Sequence, residues 1–154
     1  MTRLFLFTVC MAAGLVCASC DEKLSSLTGP TPDLAPTFAS IQQNIFTTTD
    51  SSGRAACTNC HTTAGGRVPP VGMDLGGANA HAQLVNVPSR NKAGAIRVIP
   101  GDPENSYLIH KLVGHGPAGE AIVGERMPRG TGPFLTDGQI RVIKRWIELG
   151  ALNN

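Results

Sequence analysis

Aromatic side chains are scarce in this 154-residue chain, at 5 % of its residues, and charged ones reach only 16 %. Set beside 18 glycines and 11 prolines, that composition is thin material for a self-sufficient hydrophobic core, so one domain that gains apolar bulk from a bound group is expected. Charge of one sign is lacking too: 13 basic side chains face 11 acidic ones, which excludes a strongly basic nucleic-acid binder. The apolar stretch near the N-terminus makes a poor membrane-crossing helix, because only Leu4 to Cys20 lie between charges and several of those residues are small. Catalytic groupings are missing as well. The lone Tyr107, the scattered acids and the unclustered serines form no recognisable nucleophile or acid pair, so a carrier is expected rather than an enzyme.

What the chain does have is Cys57-Thr58-Asn59-Cys60-His61. Two cysteines three positions apart, followed at once by histidine, can hold a haem both covalently and axially. Each thiol adds to one haem vinyl group, and the adjacent imidazole then sits beneath the iron as its fifth ligand. One covalent haem c is therefore the expected cofactor, and attachment through Cys57 and Cys60 removes the need for a large core to hold it. Two other chemistries use the same residues. A disulfide or thioredoxin-like redox pair sits where a strand feeds a helix, whereas Ser51, Ser52 and Gly53 precede this one. A zinc-stabilised binding domain would add His110 and His115 to Cys57 and Cys60. Compact zinc fingers separate the two pairs by roughly a dozen residues; here the whole stretch from His61 to Ile109 intervenes, and His61 is left idle.

The N-terminus points to export. Met1 to Arg3 make a short positive start, Leu4 to Val16 an apolar stretch broken only by Thr8, and Cys17, Ala18 and Ser19 a small-residue end, so residues 1–19 read as a signal peptide. The run Val16-Cys17-Ala18-Ser19-Cys20 resembles the lipobox of bacterial lipoproteins, with Cys17 where leucine is usual. Cys20 is then the lipidated first residue, and ordinary signal cleavage nearby is the alternative. Loss of residues 1–19 removes Cys10, Cys17 and Arg3, which leaves three cysteines and 12 basic against 11 acidic side chains. Lipid on Cys20 accounts for the odd thiol. Beyond it the chain is polar and punctuated by Gly29, Pro30, Pro32 and Pro36, so 20–36 reads as a tether and 37–154 as the domain. A periplasmic or cell-surface protein, anchored to a membrane by lipid, is the expected location.

Three helices are predicted. The first runs from Thr37 to about Thr47, where Phe38, Ile41, Ile45 and Phe46 fall at helical spacing. The second begins at Asp102 as cap, with Pro103 at its first position, and continues to Gly114. The third opens on Thr136-Asp137-Gly138-Gln139, a capping-box sequence, and stops at Gly150. Its residues Ile140, Val142, Ile143, Trp146, Ile147 and Leu149 fill one half of the helix, opposite Arg141, Lys144, Arg145 and Glu148. Between helices lie long Gly- and Pro-rich loops, 62–100 and 114–133, which need something to organise them. Within the first, Asn79 to Val85 is a candidate short helix and Ile96 to Ile99 a candidate extended piece.

For the sixth iron position the candidate is Met127, an isolated apolar residue in the polar loop Arg126-Met127-Pro128-Arg129-Gly130. A His/Met pair raises the reduction potential, which suits electron transfer. Met73 is a weaker candidate that fits better as a gap-filler. His110 shares a turn with apolar neighbours and suits a structural role or solvent exposure, and His81 and His115 read as surface histidines.

The order of helix, C-x-x-C-H, late Met-Pro and closing amphipathic helix resembles class I cytochromes c, and more closely the planctomycete-type cytochrome c domains of bacterial secreted and membrane-anchored proteins. The matching stretches are Phe38 to Phe46, Cys57 to His61, Val98-Ile99-Pro100-Gly101-Asp102-Pro103 with Ser106-Tyr107-Leu108, Glu125 to Pro128, and Leu135 to Ala151. The loop 62–100 is longer than in a minimal member. The resemblance implies a mostly α, cytochrome c-like fold in which N- and C-terminal helices pack across a covalently bound haem, with Phe38 meeting Trp146. It implies thioether bonds at Cys57 and Cys60, His61 and Met127 as axial ligands, and Arg97, Arg126, Arg129 or Tyr107 as donors to the propionates. The function it implies is electron transfer with redox partner proteins of the cell envelope. A haem-based sensor, or a weak peroxidase using His110 or His115, is the alternative if the sixth position is open.

Overall fold

The computed structural model describes residues 34–154; the signal-like stretch, Cys20 and most of the tether lie outside the described residues. Leu34, just ahead of Thr37, is buried in the core. Helix α1, Phe38–Ile41, runs directly into a wider π-helical turn, Gln42–Phe46. The Thr37 hydroxyl caps it by accepting from the Ser40 N–H. At the other end Thr47 and Thr48 donate their hydroxyls to the Gln42 and Gln43 carbonyls, which a helix terminus otherwise leaves unpaired.

Helix α2 is Tyr107–Val113, shorter than the sequence suggests. Asp102 does not cap it. Its carboxylate instead accepts from the Asn105 backbone N–H and side-chain amide, closing a tight turn, and the Ser106 hydroxyl donates back to the Asp102 carbonyl at 2.7 Å. The first helical N–H groups are taken up elsewhere: Tyr107 and Leu108 donate to the carbonyls of Ile96 and Arg97, each at 2.9 Å. That docks the extended piece 96–99 on the helix start. Gly114, with φ of +99°, ends the helix as expected and returns its N–H to the His110 carbonyl.

Helix α3, Asp137–Glu148, carries the complete capping box: the Gln139 N–H reaches the Thr136 hydroxyl at 3.2 Å, and the Thr136 N–H reaches the Gln139 side chain at 3.0 Å. Replacing Thr136 with alanine is expected to cost about 1 kcal/mol, measurable as a lower urea midpoint at unchanged slope.

The helices meet where the first and last cross. Phe38 and Trp146 lie with ring centroids 5.6 Å apart, around them Ile41, Ile45, Phe46, Ile143 and Ile147 are buried, and α2 adds Ile109 and Leu112. His81 belongs to this cluster and is not an ordinary surface residue: its ring stands edge-on to Phe38 at 5.0 Å and donates to the Ala151 carbonyl at 2.7 Å. The C-terminus closes the arrangement, because Asn154 accepts from the N–H groups of Phe38 and Ala39 at the start of α1.

The long loop is held by turns rather than by regular elements. Asn79 to Val85 forms successive turns, and Ile96 to Ile99 is extended but makes only isolated bridges, such as Val98 with Val85. Among the described residues the protein is thus a small, mostly non-strand, α-type fold of three helices, and none of them is long and apolar enough to cross a membrane.

Candidate functional site

Cys57, Cys60 and His61 are brought onto one turn. A 3-10 turn, Cys57–Asn59, leads into His61, whose N–H donates to the Cys57 carbonyl at 2.8 Å. Both cysteines are free thiols. They differ in setting: Cys60 is exposed, whereas Cys57 tucks its sulfur to 3.8 Å from the Ile45 carbonyl, and burial pushes its thiol up to about 11 against the opposing charge of Arg54.

The turn is braced by an ion pair that nothing in the motif announces. Arg54 has no exposed surface; its guanidinium contacts the Asp50 carboxylate at 3.0 Å and the carbonyls of Ile45, Thr48 and Ala55 at 3.1 to 3.2 Å. The end of the first helix is thereby tied to the approach to Cys57. Burial pushes the Asp50 carboxyl up, but the Ser52 hydroxyl and the Arg54 backbone N–H and guanidinium outweigh it and bring it from 3.8 to about 2. A depressed carboxylate contributes stability that is complete above its unfolded value and lost as pH falls through its folded one. Unfolding free energy is therefore expected to hold from neutral pH down to about 5 and then to drop by about 2 kcal/mol towards pH 2. Asp50→Asn should flatten that limb in denaturant titrations across this range.

His61 is only 9 % exposed, and its Nδ1 is sealed in without a hydrogen-bond partner. Burial lowers its pKa and Arg97 adds to this, while the carbonyls of Met73 and Pro70 pull the other way. The net lowering favours the uncharged imidazole, the form that ligates a metal. The Leu75 N–H donates to the His61 carbonyl at 2.9 Å, so the segment after Gly72 lies along the histidine. Met73 is thus on the His61 side, with its side chain against the core, where it fills space.

Met127 is half-buried against the same core as Cys57. Its N–H donates to the Lys111 carbonyl at 2.8 Å, and the Lys111 ammonium holds the carbonyls of Val123 and Glu125, so the loop is lashed to the end of α2.

Other residues singled out by sequence are committed elsewhere. His110 is buried, donates Nε2–H to the Glu104 carbonyl at 2.6 Å and stands edge-on to Tyr107; exposed His115 bonds the Gly116 carbonyl. Among the described residues no three of His, Cys, Asp and Glu gather as a group that could hold a metal ion. Of the propionate donors considered, Arg97 is spent on two carbonyls, Arg126 bonds the Leu112 carbonyl and stacks on Phe134, Arg129 pairs with Glu125, and the Tyr107 hydroxyl accepts from Val123. Comparison with known proteins finds no matching family model, no matching curated protein and no matching solved structure.

Proposed function

We propose that this protein is a monohaem c-type cytochrome of the cell envelope, exported and lipid-anchored through Cys20, that passes single electrons between redox partner proteins. What carries the proposal is the turn itself. Two unpaired thiols and an imidazole stand on five consecutive residues, with the His61 N–H bonded to the Cys57 carbonyl. A cytochrome c-like fold is part of the same proposal, supported by the Phe38–Trp146 contact between the first and last helices.

Haem bound here would supply a reversible one-electron iron couple. The chain's own residues would do the rest. Cys57 would anchor the haem from a half-buried position and Cys60 from an exposed one. His61, with Nδ1 buried, would offer Nε2 as a ligand to the iron. Met127, fixed through Lys111, offers a thioether that favours the reduced state.

The test is the visible spectrum, oxidised and reduced, of protein exported in a host that matures cytochromes c, before and after acid-acetone extraction. Haem retained by the chain with low-spin, methionine-ligated features is expected, and Met127→Ala should turn it high-spin. A high-spin native protein would indicate a sensor or peroxidase; a colourless one would end the haem assignment.

A further inference from the structure

We infer that Lys111 is a positioning residue for Met127: its ammonium clasps the loop 123–127 to the end of α2 and so resists loss of the methionine from the iron. This rests on Met127 being the distal ligand, as proposed above. The observation behind it is that helix and loop exchange bonds in both directions. Gly114 returns its N–H to the His110 carbonyl, and the carbonyls of Lys111 and Leu112 are then left without a helical partner. The loop takes up both. Met127 donates its N–H to the Lys111 carbonyl at 2.8 Å, and Arg126 donates Nε–H to the Leu112 carbonyl at 2.7 Å. In return the Lys111 ammonium donates to the Val123 carbonyl at 2.9 Å and to the Glu125 carbonyl. One residue thus holds Met127 by its main chain and the approach to Met127 by its side chain.

The approach needs that hold. Val123, Gly124 and Glu125 are all exposed, so apolar burial does little to fix them. Gly124, at φ of +71°, stands between the two accepting carbonyls, and a Cβ built on it lies 4.0 Å from Lys111 Nζ. The chain therefore bends round the ammonium there. A further tie comes from the same helix, where the Tyr107 hydroxyl accepts from the Val123 N–H at 3.0 Å. Among the described residues Lys111 forms no ion pair, and the Glu125 carboxylate is held by Arg129 instead. Its charge is spent on main-chain carbonyls 12 and 14 residues away. Favourable contact with the helix dipole asks only that a lysine sit in the last turn; donation to a distant loop goes beyond that. An ammonium, with three donors and no rigid fork, suits two carbonyls that bend round it.

Titration of the oxidised haem protein with imidazole reads how firmly Met127 is held, because an outside ligand binds only the fraction of molecules whose sixth position is open. At pH 8 imidazole is largely uncharged, so removing the lysine's charge does not by itself draw it in. Lys111→Leu keeps an apolar stem and a good helix former but no donor. It is expected to tighten imidazole binding about tenfold, as loss of a charge-assisted hydrogen bond implies. Thr136→Ala, which weakens α3 away from the loop, should leave imidazole binding at its native value, so general loss of stability does not imitate the effect. Native affinity in Lys111→Leu would overturn the inference, as would equal tightening in Thr136→Ala. If Lys111→Leu does not fold, Gly124→Ala takes its place: it strains the bend and spares α2, the same tightening is expected, and native affinity there overturns the inference. A native protein without haem, or without methionine ligation, would end both the reading of Met127 and this inference. A methionine-ligated native protein with an unmoved variant would end this inference alone.

Discussion

Exported protein with alanine at both Cys57 and Cys60 is expected to release all of its haem into acidified acetone, where the native protein should release none. Acid-acetone strips haem held by non-covalent contacts and axial ligands but leaves covalently bound haem in place, so the contrast is all-or-none rather than a matter of affinity. The two single variants should each keep haem by one bond. They are expected to differ in the haem-free chain, because Cys60 is exposed while Cys57 sits under the Ile45 carbonyl with its thiol pushed up to about 11. At pH 8 only roughly a thousandth of Cys57 is thiolate, the nucleophilic form. Iodoacetamide added to haem-free protein should therefore mark Cys60 first, as read by peptide mass, and mark neither cysteine in mature protein. Both thiols remaining alkylable after maturation in a competent host would sink the attachment.

Arg54→Ala is the second large effect. The substitution leaves the Asp50 carboxylate, 6 % exposed, without its counter-charge and strips the carbonyls of Ile45, Thr48 and Ala55 of a donor. Removing one member of a buried pair costs about 3–5 kcal/mol, against a total of about 5–15 kcal/mol for a typical domain. A urea midpoint that falls by a large fraction is expected, and Arg54→Lys should recover little, since an ammonium cannot reach a carboxylate and three carbonyls at once. Because the same side chain fixes the approach to Cys57, haem incorporation should fall with stability. A variant with native unfolding behaviour would show that Arg54 is a passenger.

Neither Arg54 nor Arg97 is legible in the chain as a residue of consequence. Their partners are main-chain carbonyls of Ile45, Thr48, Val71 and Gln83, and a carbonyl has no sequence signature. Asp50 and Arg54 do stand four apart, but in a Ser- and Gly-rich loop that spacing predicts no contact. His81 was unreadable for the same reason: the Phe38 and Trp146 rings that pack on it come from the two ends of the domain. The start of α2 differs from the sequence expectation because Asp102 and Pro103 fit a helix cap and a tight turn equally well locally, and the extended piece 96–99 takes the N–H groups that decide between them.

What the sequence by itself determined is whatever depends on near neighbours in the chain. The capping box of α3 and its amphipathic face, the glycine stops at Gly114 and Gly150, the α1 stripe and the grouping of Cys57, Cys60 and His61 are all of this kind. They are local because capping, helical periodicity and a five-residue motif close over one or two turns of backbone. Tertiary structure alone decided that Cys57 is half-buried and Cys60 exposed, that His110 donates to the Glu104 carbonyl, that Met127 is lashed to α2, and that Val71, at a left-handed φ, is held by an arginine 26 residues away. Those outcomes turn on which distant carbonyls and rings the packed core brings within hydrogen-bonding range, and a low-aromatic, glycine-rich chain reveals little of that until it has folded.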